Sequence, residues 1–410
     1  MQDPIAQRIE NALWGAFIGD ALAMPVHWYY ATEHIREQFP EGVDRYYPAP
    51  HPHPDAFMLG MKYQPDIKKA EASGRAYDIL HQHARFYRTS YSDFGFNLDD
   101  REGEHGNATA SADERMHYHH GLKAGESTLG AGLLRVLMRS VSKRDGYGQD
   151  GFLDDFVEYM THPRDNPDPY TEIYLRRWFE HYSQGVAPEN CPEHQRRVWS
   201  IDSVGGLIRP LALAMLNPDN RYLATGMALS HQQLTHRSEM VSSGLSFLVP
   251  ALLRLLNGGA PRSIFQYLLA QLPAPAISGQ KLFQIYRDND GPDNIPADET
   301  WRLHMTFQGE PAARKSPDYF ATACYIEQAL PLMAALGCEH DGDLIKTLRA
   351  NAEAGGDSVH RGLVLGMLLG AGSSDVPEAW KTGLKDYHEL AQEIQQFAGL
   401  AAQGNGHLRR

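Results

Sequence analysis

The stretch at residues 354–372 constrains the fold of this chain more than any other. It reads AGGDSVHRG and continues as an apolar run in which Gly362, Gly366 and Gly370 recur every four residues. Apolar side chains on every face of a helix indicate that the helix is buried, and glycines let neighbouring backbones come close. We therefore predict a helix that is buried nearly all round and closely packed.

The acid at the start of this helix has two interpretations. Gly355 and Gly356 end the preceding helical pattern, so Asp357 or Ser358 stands at the N-cap position. A short oxygen-bearing side chain there accepts hydrogen bonds from the first free backbone N–H groups. A carboxylate at such a helix mouth acts either as a cap or as a ligand. The cap is the more common role, and the rest of the chain has to decide between them.

Composition excludes several classes of function. The chain has 410 residues, a net charge of -13 and three cysteines. The negative charge argues against general binding of nucleic acid or of anionic membranes, which requires a basic face. The cysteines show no CxxC spacing, which favours a reducing compartment. The start lacks the pattern of a signal peptide, and the apolar run at 245–256 is interrupted by Pro250 and Arg254. We expect a soluble cytoplasmic protein.

Helical periodicity dominates the chain. Apolar residues three to four apart predict a helix over residues 4–24, and from Phe152 onward one helix follows another, including Pro169 to Tyr182. No strand or hairpin pattern competes over any length. The fold class predicted is all-α, a compact orthogonal multi-helix bundle. We expect a single domain, 1–410, with a loop-rich insertion at about 62–120.

Acids and hydroxyls gather at three predicted helix mouths. They are Gly19-Asp20-Ala21 with His27, Gly125-Glu126-Ser127-Thr128, and Gly356-Asp357-Ser358 with His360. On an all-helical chain this set resembles the ADP-ribosylglycohydrolase family. The strongest matches are GAFIGDALAMPV (15–26), SVGGLIRP (203–210), LTH (234–236) and AGGDS (354–358). The resemblance covers most of the chain apart from the insertion.

The resemblance implies a hydrolase that cleaves an N- or O-glycosidic bond of an ADP-ribosyl or other ribosyl substrate. That family includes enzymes that remove ADP-ribose from arginine or serine, and some eye-lens crystallins. Its active members look like two-magnesium enzymes, with ligands from a Glu, a TDDT and a GGDTDT motif. Here His27 stands at the Glu position, GEST (125–128) replaces TDDT, and Val359 and His360 replace the second Asp and the last Thr.

These departures leave three expectations for the metal site. Magnesium prefers several hard oxygen ligands, and valine offers none, so a pair of magnesium ions is not expected. One Mg²⁺ held by Glu126, Ser127, Asp357 and Ser358 is the first expectation. A metal-free site is the second, and a softer metal bound through His27 and His360 is the third.

The resemblance and the residue types together suggest the catalytic and binding residues. Cleavage of a ribosyl bond needs an activated water and stabilisation of a cation-like transition state. Glu126 and Asp357 are the candidate carboxylates, and His27 and His360 the candidate proton carriers, since imidazole titrates near neutral pH. The candidate substrate-binding residues are Asp20, Trp28, His119, Ser203, Gly205, Gly206, Arg209 and His236.

Several of these candidates carry an alternative interpretation. Gly205 and Gly206 would let backbone N–H groups approach a phosphate at a helix start, with Arg209 as the nearby cation. Arg209 can instead pair with an acid, and His236 can be a core histidine with satisfied hydrogen bonds. Trp28 begins an aromatic cluster suited to stacking a base, or to sealing a loop.

Two functions of different classes therefore remain. The first is a glycohydrolase with an altered metal site acting on a small ribosyl or ADP-ribosyl molecule, with no nucleic-acid or membrane partner. The second is a catalytically silent relative that binds an ADP-ribose-like ligand or serves a structural, crystallin-like role. Val359 favours the second, and the acids, histidines and hydroxyls kept at all three helix mouths favour the first.

Overall fold

The structure is a computed structural model, which describes residues 4–54, 63–81, 83, 116–162, 166–193, 202–272, 278, 281, 284, 288 and 319–403. These residues form fifteen α-helices. They are α1 (Pro4–Ala23), α2 (Thr32–Gln38), α3 (Ile67–Ala72), α4 (Leu129–Lys143), α5 (Gln149–Thr161), α6 (Ile173–Ser183), α7 (Gly205–Ala214), α8 (Arg221–Gln232), α9 (Glu239–Leu256), α10 (Pro261–Gln271), α11 (Ile326–Glu339), α12 (Leu344–Glu353), α13 (Ser358–Gly372), α14 (Glu378–Thr382) and α15 (Tyr387–Ala402). Within these ranges the only β-type pairing is an isolated bridge between Ser203 and Tyr325. The all-α prediction is confirmed.

Helices α1 and α13 lie at the centre of the bundle and touch backbone to backbone. A Cβ atom added to Gly15 would lie 2.1 Å from the carbonyl oxygen of Gly366, and one added to Gly19 would lie 2.1 Å from that of Gly362. Every residue of α13 before its last one is buried. The predicted buried, closely packed helix is confirmed, and its partner is the first helix of the chain.

Helix α9 illustrates how the outer helices join this core. Ser238 caps it, because its hydroxyl accepts a hydrogen bond from the backbone N–H of Val241 at 3.0 Å. By length and composition Glu239–Leu256 would suffice to cross a membrane, but 56% of it is buried inside the protein. Its apolar face, with Leu245 and Leu252 fully buried, belongs to the common core.

The predicted helix from Pro169 to Tyr182 was wrong at its start. Helix α6 begins at Ile173, and residues 166–172 form an irregular loop. Local hydrogen bonds hold this loop: the side-chain oxygen of Asn166 accepts from the N–H of Asp168 at 3.1 Å, and the Asp168 carboxylate accepts from the N–H of Tyr170 at 3.0 Å. Asn and Asp side chains that bond the backbone two residues on favour turns over helix.

The predicted insertion at about 62–120 falls mostly outside the described residues, because positions 84–115 are not among them. Its described part contains the short helix α3 and the turn at His117 to His120. The division of the chain into a single domain stays a prediction.

Candidate functional site

Asp357 stands at the N-cap position of α13 but does not cap it. Its side chain makes no capping hydrogen bond, so the more common interpretation of this acid was wrong. Instead, Oδ1 lies 3.1 Å from His27 Nε2 and 2.6 Å from His360 Nδ1. All three side chains are at least 96% shielded from solvent. The structure thus brings three of the four predicted catalytic residues together.

Two backbone contacts place these residues. The N–H of Trp28 donates to the carbonyl of Gly356 at 2.7 Å, and the N–H of Gly356 donates to the carbonyl of Tyr29 at 2.6 Å. Gly355 and Gly356 have positive φ angles of 67° and 60°, and a Cβ on either would lie 2.1 Å from a carbonyl oxygen. Only glycine fits this turn, which presses the His27 loop against the start of α13.

The group of His27, Asp357 and His360 is extended at each of its two ends by one further carboxylate. His27 Nδ1 lies 2.6 Å from His119 Nε2, and His119 Nδ1 lies 2.8 Å from Asp168 Oδ1. At the other end, His360 Nε2 lies 3.4 Å from Glu172 Oε2. The result is one connected row, hereafter the buried cluster, in the order Asp168, His119, His27, Asp357, His360 and Glu172.

A small cavity adjoins the buried cluster. Both end carboxylates and both histidines next to them line it, together with residues at the start of α4. The lining residues are His119, Thr128, Leu129, Gly130, Leu133, Asp168, Tyr170, Glu172 and His360. Acid, base and hydroxyl groups therefore face one enclosed space, which is the arrangement expected of a reaction site.

Burial and mutual charge set the ionisation of the cluster. Burial opposes the charge of Asp357, but the charge of His360 and the hydrogen bonds from both histidines outweigh it and lower its pKa. Burial likewise opposes the charge of His360, yet Asp357 and Glu172 raise its pKa to about 10. Burial lowers the pKa of His27 well below its usual value, and burial raises the pKa of Glu172. The metal-free form therefore holds an ion pair beside a neutral imidazole.

Asp20, a predicted binding residue, binds the backbone at the start of α4. Its carboxylate accepts from the backbone N–H of Thr128 at 2.9 Å and from the Thr128 hydroxyl at 2.5 Å. Burial is the largest influence on Asp20 and raises its pKa to about 6. Asp168 acts in the same way on the next residue, since it accepts from the N–H of Leu129 at 2.8 Å. The two acids occupy the positive end of α4.

Glu126 lies outside the buried cluster. Its carboxylate accepts from the N–H of Lys123 at 2.7 Å and pairs with Lys385 near the surface. Of its predicted neighbours, Ser127 does not line the cavity and the Ser358 hydroxyl donates to the carbonyl of Ala23 at 3.3 Å. Asp357 is therefore the only one of the four predicted magnesium ligands in the cluster.

The predicted phosphate subsite faces a carboxylate of the protein itself. A Cβ added to Gly205 would lie 2.8 Å from Glu172 Oε2, and the Ser203 hydroxyl helps to lower the pKa of Glu172. Gly206 lies against the ring of His236, 3.0 Å from the position of an added Cβ. A second anion at this helix start would meet repulsion from Glu172, which argues against a phosphate there.

Arg209, His236 and Trp28 form the surroundings of the cluster. Arg209 donates to the Tyr174 hydroxyl at 3.3 Å and to the Thr235 hydroxyl at 3.0 Å, and it has no acidic partner within the described ranges. His236 Nδ1 lies 2.9 Å from the same Thr235 hydroxyl. Trp28 stacks on His27 with ring centroids 4.8 Å apart and is only 2% exposed. It supports His27, so the predicted stacking platform for a base is not open to solvent.

Asp168 and Glu172 are site residues that the sequence reasoning missed. The signal was present in NPDPYTE (166–172), where two prolines interrupt the helical pattern and two acids stand directly before a helix. Proline biases the preceding residue away from the helical region, so a loop could have been inferred. The contact with His119 and His360 could not, because these residues are far apart along the chain.

The donor groups do not fit a magnesium pair. Mg²⁺ takes oxygen ligands in near-octahedral order, whereas the group that the described residues assemble consists of His27, Asp357 and His360. Glu126 is paired with Lys385, and Val359 is buried and apolar. The oxygen-only ligand set implied by the resemblance is therefore not formed here.

Comparison with known proteins agrees with this architecture. A family model described as ADP-ribosylglycohydrolase matches residues 1–407. The fold is similar to that of a solved structure titled ADP-ribosylglycohydrolase-related protein complex, with a TM-score of 0.52 and 14% sequence identity over 97% of this chain and 99% of the other. No curated protein matches the sequence.

Proposed function

Because the chain belongs to the ADP-ribosylglycohydrolase family, we propose that it hydrolyses an N- or O-glycosidic bond of an ADP-ribosyl or related ribosyl substrate. The observation that supports this most is the buried cluster, in which carboxylates and imidazoles alternate beside a cavity. Unpaired charges are costly to bury, so a protein that needed only a packed core would gain nothing from this arrangement. We propose the buried cluster as its active site.

Glu172 is the proposed general base. Its carboxylate lines the cavity and touches His360, and it takes the place that we first assigned to Glu126. Hydrolysis breaks the bond between the ribose anomeric carbon and the leaving nitrogen or oxygen, and water supplies the new C–O bond. Glu172 accepts the proton of that water and passes it on to the leaving nitrogen or oxygen, which departs as a neutral amine or alcohol. The negative charge of Asp357 and Asp168 stabilises the cation-like ribosyl transition state.

The cavity limits what enters. The space between its lining residues is much smaller than that of a site that encloses a whole drug-sized ligand. We propose that it takes the ribosyl end of a small substrate and that the rest of the molecule lies outside.

The location that we propose is cytoplasmic, and the partner is a small molecule, with no nucleic acid or membrane involved.

A second candidate function is a catalytically silent protein that binds an ADP-ribose-like ligand or serves a structural role. The observation that favours it is the loss of metal ligands, since Val359 is apolar and the Ser358 hydroxyl is bound to the carbonyl of Ala23.

Release of free ADP-ribose tests the proposal. ADP-ribosyl-arginine, an ADP-ribosyl-serine peptide and smaller ribosides are incubated with the protein, and the products are measured by mass spectrometry. Hydrolysis of any of them that Glu172→Gln abolishes supports the enzyme. A thermal shift with ADP-ribose, which raises the melting temperature if it binds the folded state, combined with no turnover of any substrate would support the silent alternative.

A further inference from the structure

We propose that His27, Asp357 and His360 form a binding site for a single transition-metal ion of the Zn²⁺ type. The role of such an ion rests on the proposed function, but its binding does not. The inference starts from the ligand atoms. His27 Nε2, His360 Nδ1 and a carboxylate oxygen of Asp357 lie within 4.8 Å of one another. Ligand atoms about 2.0–2.2 Å from one ion lie about 3–4 Å apart, so little movement closes the site.

The outer partners of the two histidines are those typical of metal ligands. A metal-bound histidine usually offers its other ring nitrogen to a carboxylate or another acceptor, which fixes the ring and its tautomer. His360 meets Glu172 in this way, with Nε2 3.4 Å from the carboxylate. His27 meets His119, which in turn lies 2.8 Å from Asp168. Both rings thereby present their other nitrogen to Asp357.

A separate observation concerns the second carboxylate oxygen of Asp357. Oδ2 is buried, and no hydrogen-bond donor within the described ranges contacts it. A buried carboxylate oxygen without a partner costs free energy, so native structures seldom leave one. A cation beside Asp357 satisfies this oxygen without a change in the fold.

The nature of the ligands selects the metal. Two imidazole nitrogens and one carboxylate suit zinc and its transition-metal neighbours, whereas magnesium and calcium prefer oxygen ligands alone. Two of the sequence changes that remove oxygen ligands expected from the family also supply nitrogen, because His27 and His360 stand where the family motifs carry Glu and Thr. We therefore infer an exchange of metal type rather than a loss of metal.

Three protein ligands leave room for a water. Catalytic zinc sites have this composition, and zinc lowers the pKa of a bound water to about 7. The cavity is lined by both His360 and Glu172, so a bound ion would supply such a water near the proposed base. Such a water would be available to the Glu172 carboxylate in the reaction proposed above.

Metal content measured directly tests the site. Untagged protein is stripped with a chelator, loaded with Zn²⁺ or Mg²⁺, separated from free metal and analysed by mass spectrometry. Co²⁺ is added to a second sample, because its visible absorption reports nitrogen ligands. We expect one tightly held Zn²⁺ per chain, a Co²⁺ absorption band that Zn²⁺ abolishes, and no retained Mg²⁺.

Variants locate the ion. His27→Gln and His360→Gln should each lower zinc retention at least tenfold, while His231→Gln should retain it. His231 is the matched control, because it is a fully buried histidine bonded to Tyr147 and outside the buried cluster. Circular dichroism checks that each variant is folded.

Two results would overturn the inference: no zinc or cobalt bound by the parent protein, or equal zinc retention in all three folded variants. The parent protein alone can give the first, so failure of a variant to fold leaves the test intact. Zinc binding without turnover would remove the proposed function and keep the metal site. Turnover in a chelator by protein free of zinc would keep the proposed function and remove the ion from its chemistry.

Discussion

Two regions of this protein meet at the start of α13 and differ in what holds them together. The contact between α1 and α13 is dry, with backbone against backbone at glycines. The buried cluster at its end consists of charged and polar side chains brought in by loops. The first is fixed by sterics within two helices, and the second by long-range packing of four chain segments. The comparison separates what stabilises the fold from what gives it a function.

The largest effect is expected at the helix contact. In Gly366→Ala the new Cβ would lie 2.0 Å from the carbonyl oxygen of Gly15, where only backbone can move. Overpacking of this kind costs about 3 kcal/mol or more, a large part of a typical free energy of unfolding of about 5–15 kcal/mol. Urea unfolding measures it. A loss below about 1 kcal/mol would mean that the helices separate easily and that the contact is not the centre of the fold.

The second largest effect is expected on the rate of hydrolysis, from a substitution that should leave the fold intact. Glu172→Gln removes the proposed base without changing its size, and we expect turnover to fall by about 10²- to 10⁴-fold. The control is Glu158→Gln on the exposed side of α5, which should keep the parent rate. Steady-state hydrolysis gives both rates. Equal rates for the two variants would remove Glu172 from the mechanism.

The third prediction uses pH to distinguish the two regions. Burial lowers the pKa of His231 and His236 well below the usual value, with the charge of Arg209 adding to the effect. These histidines stay neutral in the folded state, while in the unfolded chain they take up protons near pH 6.5. The contribution of these two histidines to the free energy of unfolding should therefore be constant above that pH and fall below it, by about 1 kcal/mol per histidine between about pH 7.5 and 5.5.

Unfolding in urea at both pH values measures that fall, and His236→Gln should make it smaller. A Cβ at Gly366 would meet only the backbone of Gly15 and Ala16, so the free energy that Gly366→Ala costs should be the same at both pH values. A fall that His236→Gln leaves unchanged would mean that His236 is protonated in the folded protein.

The smallest effect has the opposite sign. Gly399 lies in α15, and a Cβ added there would meet nothing within 4 Å. Gly399→Ala should stabilise the protein by about 0.5–1 kcal/mol, because alanine restricts the unfolded chain and favours helix. Thermal unfolding measures the gain. A loss would show that this helix position is more crowded than its surroundings indicate.

The sequence was informative wherever a local rule decided the structure. The spacing of Gly362, Gly366 and Gly370 predicted a buried, closely packed helix, and the apolar period predicted α1 within one residue of its observed end. The turn was harder to predict, since residues 169–172 of the loop at 166–172 were predicted to be helical. There, hydrogen bonds from Asn166 and Asp168 to nearby backbone outweigh helix propensity.

The site was predictable only in part, for a physical reason. His27, Asp357 and His360 follow glycines at helix ends, which marks them in the sequence. Glu126 carries the same mark, yet its carboxylate turns to Lys385, since a surface pairing is available to it. Glu172 carries no such mark and joins the cluster because the loop at 166–172 is placed beside His360. The direction in which a side chain points at the start of a helix depends on residues from other parts of the chain, and a local sequence pattern does not show which residues those are.

The most direct test of the account compares Asp357→Asn with Glu126→Gln. Both replace a carboxylate by an amide of the same shape at a helix mouth, one inside the buried cluster and one beside Lys385. Release of free ADP-ribose is measured for each variant after circular dichroism shows it to be folded. The account predicts that Asp357→Asn loses turnover at least a hundredfold while Glu126→Gln keeps the parent rate. Loss of turnover in Glu126→Gln with activity retained in Asp357→Asn would contradict it.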